Sequence, residues 1–150
     1  MDKNILEVAD MTAEGFNPLI FFKSWRVASL CYTQDLFPPQ IGFLERHNQT
    51  DEIFVLVRGQ ATLMMGGNGG SVDKIEVVPM QLLKTYNVRQ SAWHSVIVSK
   101  DVVILLVEAA DTDRSNSEYF DLTPSMKQVY LSVAAKYPDW QAVISALNSD

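Results

Sequence analysis

Between residues 19 and 108 the hydrophobic positions form short runs rich in Val, Ile, Phe and Tyr, and turn-forming residues separate them. This spacing is typical of strands that follow one another through short turns. The predicted strands cover residues 19–32, 41–47, 53–57, 61–65, 74–78, 82–88, 93–98 and 102–108. The pattern therefore predicts an all-β domain.

Two of these runs, 53–57 and 102–107, are hydrophobic at every position. A strand in a sheet with one face in water would alternate between apolar and polar residues instead. Strands of this kind fit a sandwich or closed barrel whose outer face is covered by a helix or by a partner. We therefore expect a homodimer.

Two glycine-containing segments predict turns. Arg58-Gly59 lies between two predicted strands, where glycine supplies a positive φ at low cost, so we expect these strands to pair across it. Residues 66–70 contain four glycines without the Gly-Lys-Ser/Thr ending of a phosphate-binding loop. This second segment is interpreted as a hairpin tip.

After residue 111 the chain becomes polar, and the hydrophobic spacing then lengthens to a helical period. Thr123 followed by Pro124 predicts a helix N-terminus. The apolar positions of two amphipathic helices are Met126, Val129, Val133 and Tyr137, and then Trp140, Val143, Ile144 and Leu147. These helices should dock on the β domain or on another subunit. The chain is thus interpreted as one domain, 1–150, with a barrel at about 19–110 and a helical segment at about 123–148.

Charge and composition exclude several classes of function. The 12 basic residues are outnumbered by 18 acidic ones and are scattered, so nucleic acid is not expected as a partner. No apolar run approaches the roughly 18 residues of a membrane span, so no membrane partner is expected. The N-terminus lacks the apolar core of a secretory signal, which favours a cytoplasmic location. Cys31 is the only cysteine, which excludes an internal disulfide and a zinc site of several thiolates.

Candidate chemistry centres on the two histidines of the chain, His47 and His94. The two-residue period of a strand places Glu45 on the same face as His47. Glu52 opens the next predicted strand, and the four side chains can converge if those strands are neighbours in a barrel. Two imidazoles and two carboxylates would suit Mn, Fe, Ni or Zn with positions open to substrate. The alternative is a pair of unrelated histidines, each satisfied by hydrogen bonds.

Other residues near this constellation carry further expectations. Glu108 is in phase with Ile104 and Leu106, so it could face the barrel interior and act as an acid or base. Arg46 should form an ion pair on the opposite face from His47, and Trp93 should pack away from His94. An aromatic cluster is expected in the core or at a dimer interface; its members are Phe16, Phe21, Phe22 and Trp25.

The same residues resemble the two sequence motifs of the cupin superfamily. His47 matches the second histidine of the first motif, Glu52 its glutamate and Gly59 its final glycine, while His94 matches the histidine of the second motif. Glu45 stands where most cupins have the first histidine. The resemblance covers about residues 40–108 and implies a cupin-type β barrel, or jelly roll, usually dimeric, with a metal inside.

A narrower likeness concerns the strings Glu45-Arg46-His47 and Trp93-His94, which resemble those of the ureidoglycolate lyase branch of the cupins. That branch cleaves ureidoglycolate to glyoxylate and urea. The resemblance thus implies a metal-dependent lyase or isomerase that acts on a small polar acid or sugar-like metabolite. In that enzyme Glu45 would be either a fourth metal ligand or the general base. The alternative function is a cupin that binds or senses a small molecule without converting it.

Overall fold

The computed structural model describes residues 1–149, and its main feature is a pair of five-stranded antiparallel sheets. Sheet A has the order β1-β2-β9-β4-β7, and sheet B has the order β10-β3-β8-β5-β6. The strands are β1 (Gly15–Phe22), β2 (Trp25–Cys31), β3 (Phe43–His47), β4 (Glu52–Arg58), β5 (Ala61–Met65), β6 (Glu76–Pro79), β7 (Thr85–Val88), β8 (His94–Val98), β9 (Val103–Ala109) and β10 (Ser117–Asp121). Two helices follow, α1 (Pro124–Ala134) and α2 (Gln141–Leu147).

Consecutive strands in the middle of the chain alternate between the two sheets. β3 belongs to sheet B, β4 to sheet A and β5 to sheet B. The expected pairing across Arg58-Gly59 is therefore wrong, because this turn carries the chain from one sheet to the other. The expected positive φ is present, at +78° for Gly59. A Cβ there would lie 2.8 Å from Val102 Cα, so only glycine fits this crossing.

The interior between the sheets changes from apolar to charged along the strands. On β4 the inward side chains run from Leu56 through Phe54 to Glu52, and on β9 they run from Ile104 to Glu108. Buried carboxylates need hydrogen-bond donors or cations, whereas the apolar end packs without them. One end of the barrel is thus a closed hydrophobic core, and the other end is polar.

The two predicted helices are present and cover the outer face of sheet B. Thr123 caps α1 by accepting a hydrogen bond from the backbone N–H of Met126 at 3.3 Å. The hydroxyl groups of Tyr130 and of Ser95 on β8 form a hydrogen bond, and the Trp140 indole N–H donates to the Val98 carbonyl at 2.8 Å. The helices therefore dock on the β domain, which is the first of the two expected surfaces. None of the helices in residues 1–149 has the length and apolarity needed to cross a bilayer.

The strands extend beyond the predicted limits of 19–110. β1 begins at Gly15, and the run 19–32 is a hairpin of two strands that turns at residues 23 and 24. β10 begins at the end of the polar link and precedes the predicted helix, where no strand was expected. Its sequence, Ser-Glu-Tyr-Phe-Asp, has no clear alternation of apolar and polar residues. Pairing with β3 along all five residues makes it a strand, which local sequence does not specify.

The outer face of sheet A carries apolar side chains that no helix covers. Val27, Val107 and Ile53 stand side by side across β2, β9 and β4, and all three are only partly buried. The aromatic cluster expected in the core or at an interface is exposed, with exposed fractions of 42–56% for Phe16, Phe21, Phe22 and Trp25. The core alternative is therefore wrong for these four residues.

Candidate metal centre

A cavity of about 510 Å³ opens at the polar end of the barrel and is lined by strands of both sheets. Its walls are largely apolar and include Leu30, Phe54 and Leu106. All five predicted site residues line it: Glu45, His47, Glu52, His94 and Glu108. The structure therefore brings the whole predicted set into one pocket.

The set is assembled from facing sheets. Glu45 and His47 point the same way from β3, and Glu45 stands opposite His94 of β8 in the register of sheet B. Glu52 comes from β4 in sheet A, and Glu108 from β9 beside it. The premise that β3 and β4 are neighbouring strands is wrong. The side chains still meet, because the two sheets face each other across a narrow interior.

Glu52 lies at the centre of the group. Its Oε2 atom is 2.9 Å from His94 Nε2 and 3.2 Å from His47 Nε2. Ligand atoms of Glu45, His47 and His94 lie within 4.8 Å of one another, as do those of His47, Glu52 and Glu108. These separations match the spacing of donor atoms that share one metal ion.

The hydrogen bond on the far side of the His94 ring determines its tautomer. Nδ1 of His94 lies 2.9 Å from the carbonyl oxygen of Ala92. A carbonyl only accepts, so Nδ1 must carry the proton. In the neutral ring Nε2 then presents a lone pair to the cavity.

His47 is held in the same tautomer through a hydroxyl relay. The Ser117 hydroxyl donates to the Asp113 carbonyl at 2.6 Å, and the same oxygen lies 2.8 Å from His47 Nδ1. Because the single hydroxyl proton is already used, His47 Nδ1 must donate. Both imidazoles therefore point unprotonated Nε2 atoms at the Glu52 carboxylate when they are neutral.

Lone pairs that face a carboxylate at 2.9 and 3.2 Å repel unless a cation stands among them. The cation is either a proton on each imidazole or a metal ion. Metal-bound histidines usually donate their remote N–H to a carbonyl or similar acceptor, as both do here. The donor set therefore fits a divalent metal.

The ionisation of Glu52 and the histidines reflects this coupling. Burial, the largest influence, raises the pKa of Glu52, but hydrogen bonds from His47 and His94 and their charges outweigh it, and the pKa is lowered to about 2. Burial likewise lowers the pKa of each histidine, yet the bond to Glu52 and its charge raise both pKa values above the usual 6.5. Without metal, protons occupy the place of the cation.

Glu45 and Glu108 hold protons more readily than ordinary carboxyls. Burial is the main cause of the raised pKa of Glu45, with a further contribution from the charge of Glu52. Burial also raises the pKa of Glu108, again helped by Glu52. A raised pKa makes the protonated form of a carboxyl more accessible, which suits such a group to acid–base chemistry.

Glu108 has one oxygen held and one free. Its Oε1 accepts hydrogen bonds from Arg26 Nε at 3.2 Å and from Nη2 at 2.8 Å. Its Oε2 is buried without a hydrogen-bond partner and lies 4.0 Å from His47 Nε2. A buried oxygen without a partner calls for a proton, a water molecule, a substrate group or a metal ion at this place.

Two neighbours of the centre have the roles expected from strand alternation. Arg46 forms an ion pair with Glu118 at 2.6 Å on the outer face. Its guanidinium lies 4.4 Å from the centre of the Trp93 ring, and Trp93 is buried in the core beneath the helices. Neither residue lines the pocket.

Two functional partners were not found by sequence reasoning. Ser117 orients His47 from a strand that was not predicted, and Arg26 orients Glu108 from 82 residues away. Neither has a local sequence signal, because each meets its site residue only through the register of neighbouring strands: Ser117 pairs with His47, and Arg26 pairs with Glu108.

Comparison with known proteins gives matches in structure alone. No family model matches the sequence, and none of the curated proteins matches it either. A structure of Streptomyces Pac13, a nucleoside dehydratase with a β barrel, is 12% identical to this chain and gives a TM-score of 0.53. The match covers 76% of this chain and 86% of Pac13.

A second structure gives a similar match, and a third gives a weaker one. A protein from Planctomyces limnophilus is 13% identical over 75% of this chain and 95% of its own, with a TM-score of 0.51. A cupin-2 domain protein from Shewanella frigidimarina is 12% identical over 63% and 79%, with a TM-score of 0.48. At these identities the comparison concerns the fold. The two facing sheets, with their pocket at one end, show that the chain has the cupin-type β-barrel fold.

Proposed function

We propose that this protein is a metal-dependent enzyme that converts a small molecule in the barrel pocket. The observation that carries the proposal is the pair of histidines whose Nδ1 atoms are committed as donors, so that both Nε2 atoms face Glu52. Such an arrangement suits a metal, because each neutral imidazole would turn its Nε2 lone pair to the ion while an acceptor holds the remote N–H.

His47, His94, Glu52 and Glu45 are the proposed ligands. Nitrogen and oxygen donors without a thiolate suit Mn, Fe, Ni or Zn. A bound ion of this kind would act as a Lewis acid that polarises a carbonyl or hydroxyl of the substrate. The apolar walls exclude water and strengthen every electrostatic contact made in the pocket.

Glu108 is the proposed general acid or base. Arg26 fixes its Oε1, so the free Oε2 is directed at the centre and can take or return a proton at one place. Its raised pKa makes the protonated form of this carboxyl more accessible than in an ordinary glutamate. No redox step is required of these groups, which favours a lyase or isomerase.

Ureidoglycolate is one candidate substrate, supported by the Glu45-Arg46-His47 and Trp93-His94 strings. A second candidate function is binding or sensing of a metabolite, and it is favoured by the deep, mostly apolar pocket. The two functions differ in whether a bound compound is converted.

The test combines metal analysis with turnover. The purified protein should contain close to one divalent metal per chain, and a panel of ureidoglycolate, hydroxy acids and sugar derivatives should include a compound that is converted only before chelation. Bound metal with no conversion would favour the binding function. Protein without metal that also fails to take up Mn, Fe, Ni or Zn would contradict the proposal.

Metal affinity should fall steeply as the pH drops, because each imidazole must lose its Nε2 proton before it can bind metal. The pKa values of His47 and His94 are raised above 6.5, so the fall should begin above pH 6.5 and deepen below it. Metal content can be measured after equilibrium dialysis at a series of pH values. Unchanged content down to pH 5 would contradict histidine ligation.

The thermal stability of the chelated protein provides an independent control. A raised folded-state pKa stabilises the fold fully below the unfolded value of about 6.5, and this contribution is lost as the pH rises through the folded pKa. The melting temperature of metal-free protein should therefore decline above pH 6.5, whereas metal-loaded protein should not show this decline.

A homodimer is a further proposal, supported by the uncovered outer face of sheet A. Helices cover sheet B, but Val27, Val107 and Ile53 have no such cover, and Phe22 and Trp25 extend the apolar surface. A second copy of the chain would bury these side chains. Light scattering at micromolar concentration should report twice the chain mass, and Trp25→Glu should shift the protein toward monomer. A wild-type monomer would contradict this prediction.

A further inference from the structure

The mouth of the pocket carries an aromatic rim beside the candidate metal centre. Tyr119 of β10 stands opposite Glu45 in the register of sheet B, so its side chain shares the pocket face. The ring of Phe43 meets it edge to face at 5.2 Å between centroids. Phe16 lines the same mouth from β1. All three rings are more than 40% exposed, which is a high value for apolar groups at a cavity entrance.

Arg114 adds a positive charge to this rim. Its guanidinium carbon lies 5.6 Å from the centre of the Tyr119 ring. The backbone is held in place by a short capped turn, in which Asp113 accepts from the Ser115 N–H and Asn116 accepts from the Asp113 N–H. The turn therefore holds the backbone of Arg114 beside the aromatic surface.

The donors of Arg114 are unused, unlike those of the other pocket arginine. Within residues 1–149 the Arg114 side chain makes no ion pair and no hydrogen bond. Arg26 is neutralised by Glu108 and also donates to the carbonyls of Ala110 and Thr112. Arg114 is thus the lining arginine that is available to a ligand.

We propose that Arg114 and Tyr119 form a subsite for the carboxylate of a flat, largely apolar acid, whose body lies against the aromatic rim and the apolar pocket wall. The inference rests on the proposed small-molecule function of this pocket but requires no metal. A guanidinium stacked on an aromatic ring still offers its edge donors, which match the two oxygens of a carboxylate.

The surrounding charges favour a carboxylate over a phosphate. One free arginine balances a single negative charge, whereas a phosphate ester would bring a second charge close to Glu45 and Asp35, which also line the pocket. The apolar wall, which includes Phe16, Phe43 and Leu36, favours a ligand with an apolar body beside its carboxylate.

The test uses cinnamate and cinnamamide, which have the same shape and differ in charge, with crotonate as an acid that lacks the ring. Binding is measured by calorimetry on full-length protein treated with chelator, so that no carboxylate can bind metal. Wild-type protein should bind cinnamate roughly fivefold to tenfold more tightly than cinnamamide. Crotonate should bind more weakly than cinnamate.

Arg114→Gln should abolish the preference for cinnamate and leave the affinity for cinnamamide unchanged, whereas Arg114→Lys should retain part of the preference. Lys127→Gln on α1 makes the same change of charge outside the pocket and should behave as wild type. Equal binding of the two compounds by wild type, undetectable cinnamate binding, or a preference that survives in Arg114→Gln would overturn the inference.

The outcome is separable from that of the metal proposal. A protein that takes up no metal but still prefers cinnamate through Arg114 would refute the metal centre and support this subsite. A metal-loaded enzyme whose Arg114→Gln variant keeps the cinnamate preference after chelation would support the metal centre and refute this subsite.

Discussion

Replacing Glu52 with glutamine should lower the affinity for divalent metal by roughly 100-fold or more, because the central anionic donor becomes a neutral amide. Glu52 is the residue that both Nε2 atoms face, at 2.9 and 3.2 Å. Affinity can be measured by competition with a chromophoric chelator at pH 8, where protons compete only weakly with the metal for the histidines.

The Glu52→Gln variant should remain folded without metal. The amide can donate a hydrogen bond to the Nε2 lone pair of His94, which removes the need for a proton there. The loss of the negative charge should also bring the pKa of both histidines down, and the decline of stability above pH 6.5 should weaken accordingly.

Glu76→Gln is the matched control, since it removes the same charge from the exposed strand β6. There the Glu76 carboxylate forms an ion pair with Lys74. Its metal affinity should equal that of wild type. A Glu52→Gln protein that binds metal normally would show that Glu52 is no ligand, and the centre would then rest on Glu45 and the two histidines.

Replacing Glu108 with glutamine should leave metal bound and lower turnover by about 10²- to 10⁴-fold, the usual effect of losing a general acid or base. The amide keeps the size of the side chain and still accepts from Arg26, so the pocket should keep its shape. Turnover is measured on a compound identified by the panel, together with the metal content of the same sample.

Glu45→Gln separates the two roles considered for Glu45. If Glu45 is a ligand, the substitution should weaken metal binding, because the Glu45 carboxylate lies within 4.8 Å of the donor atoms of both histidines. If Glu45 is instead the general base, the substitution should leave the metal bound and lower turnover. We expect the first result. Normal metal affinity with slow turnover would transfer the role of base to Glu45, and a variant normal in both would remove it from the site.

Several features of the fold follow from local sequence. The two-residue period placed Glu45 and His47 on one face before any strand partner was known, and the same period directed Arg46 and Trp93 away from the pocket. Thr123-Pro124 marked the start of α1 because a cap and a preset φ are properties of adjacent residues. These predictions succeeded where the determining interactions span a few positions.

The arrangement of strands required the tertiary structure. Arg58-Gly59 has the chemistry of a hairpin turn, yet it connects two sheets. The reason is that β4 pairs with β9 and β5 pairs with β8, both of which are distant in sequence. β10 has no strong pattern of its own, and its pairing with β3 supplies the hydrogen bonds that stabilise it.

The sequence by itself determined the donor types and their faces: two histidines and three glutamates whose side chains point inward from their strands. Only the tertiary structure decided their chemistry. The tautomer of His47 depends on Ser117, and the free oxygen of Glu108 depends on Arg26. Hydrogen bonds of this kind join residues brought together by sheet register and barrel closure. A local hydrophobic pattern specifies neither, because it records which face a side chain takes and not which strand lies beside it.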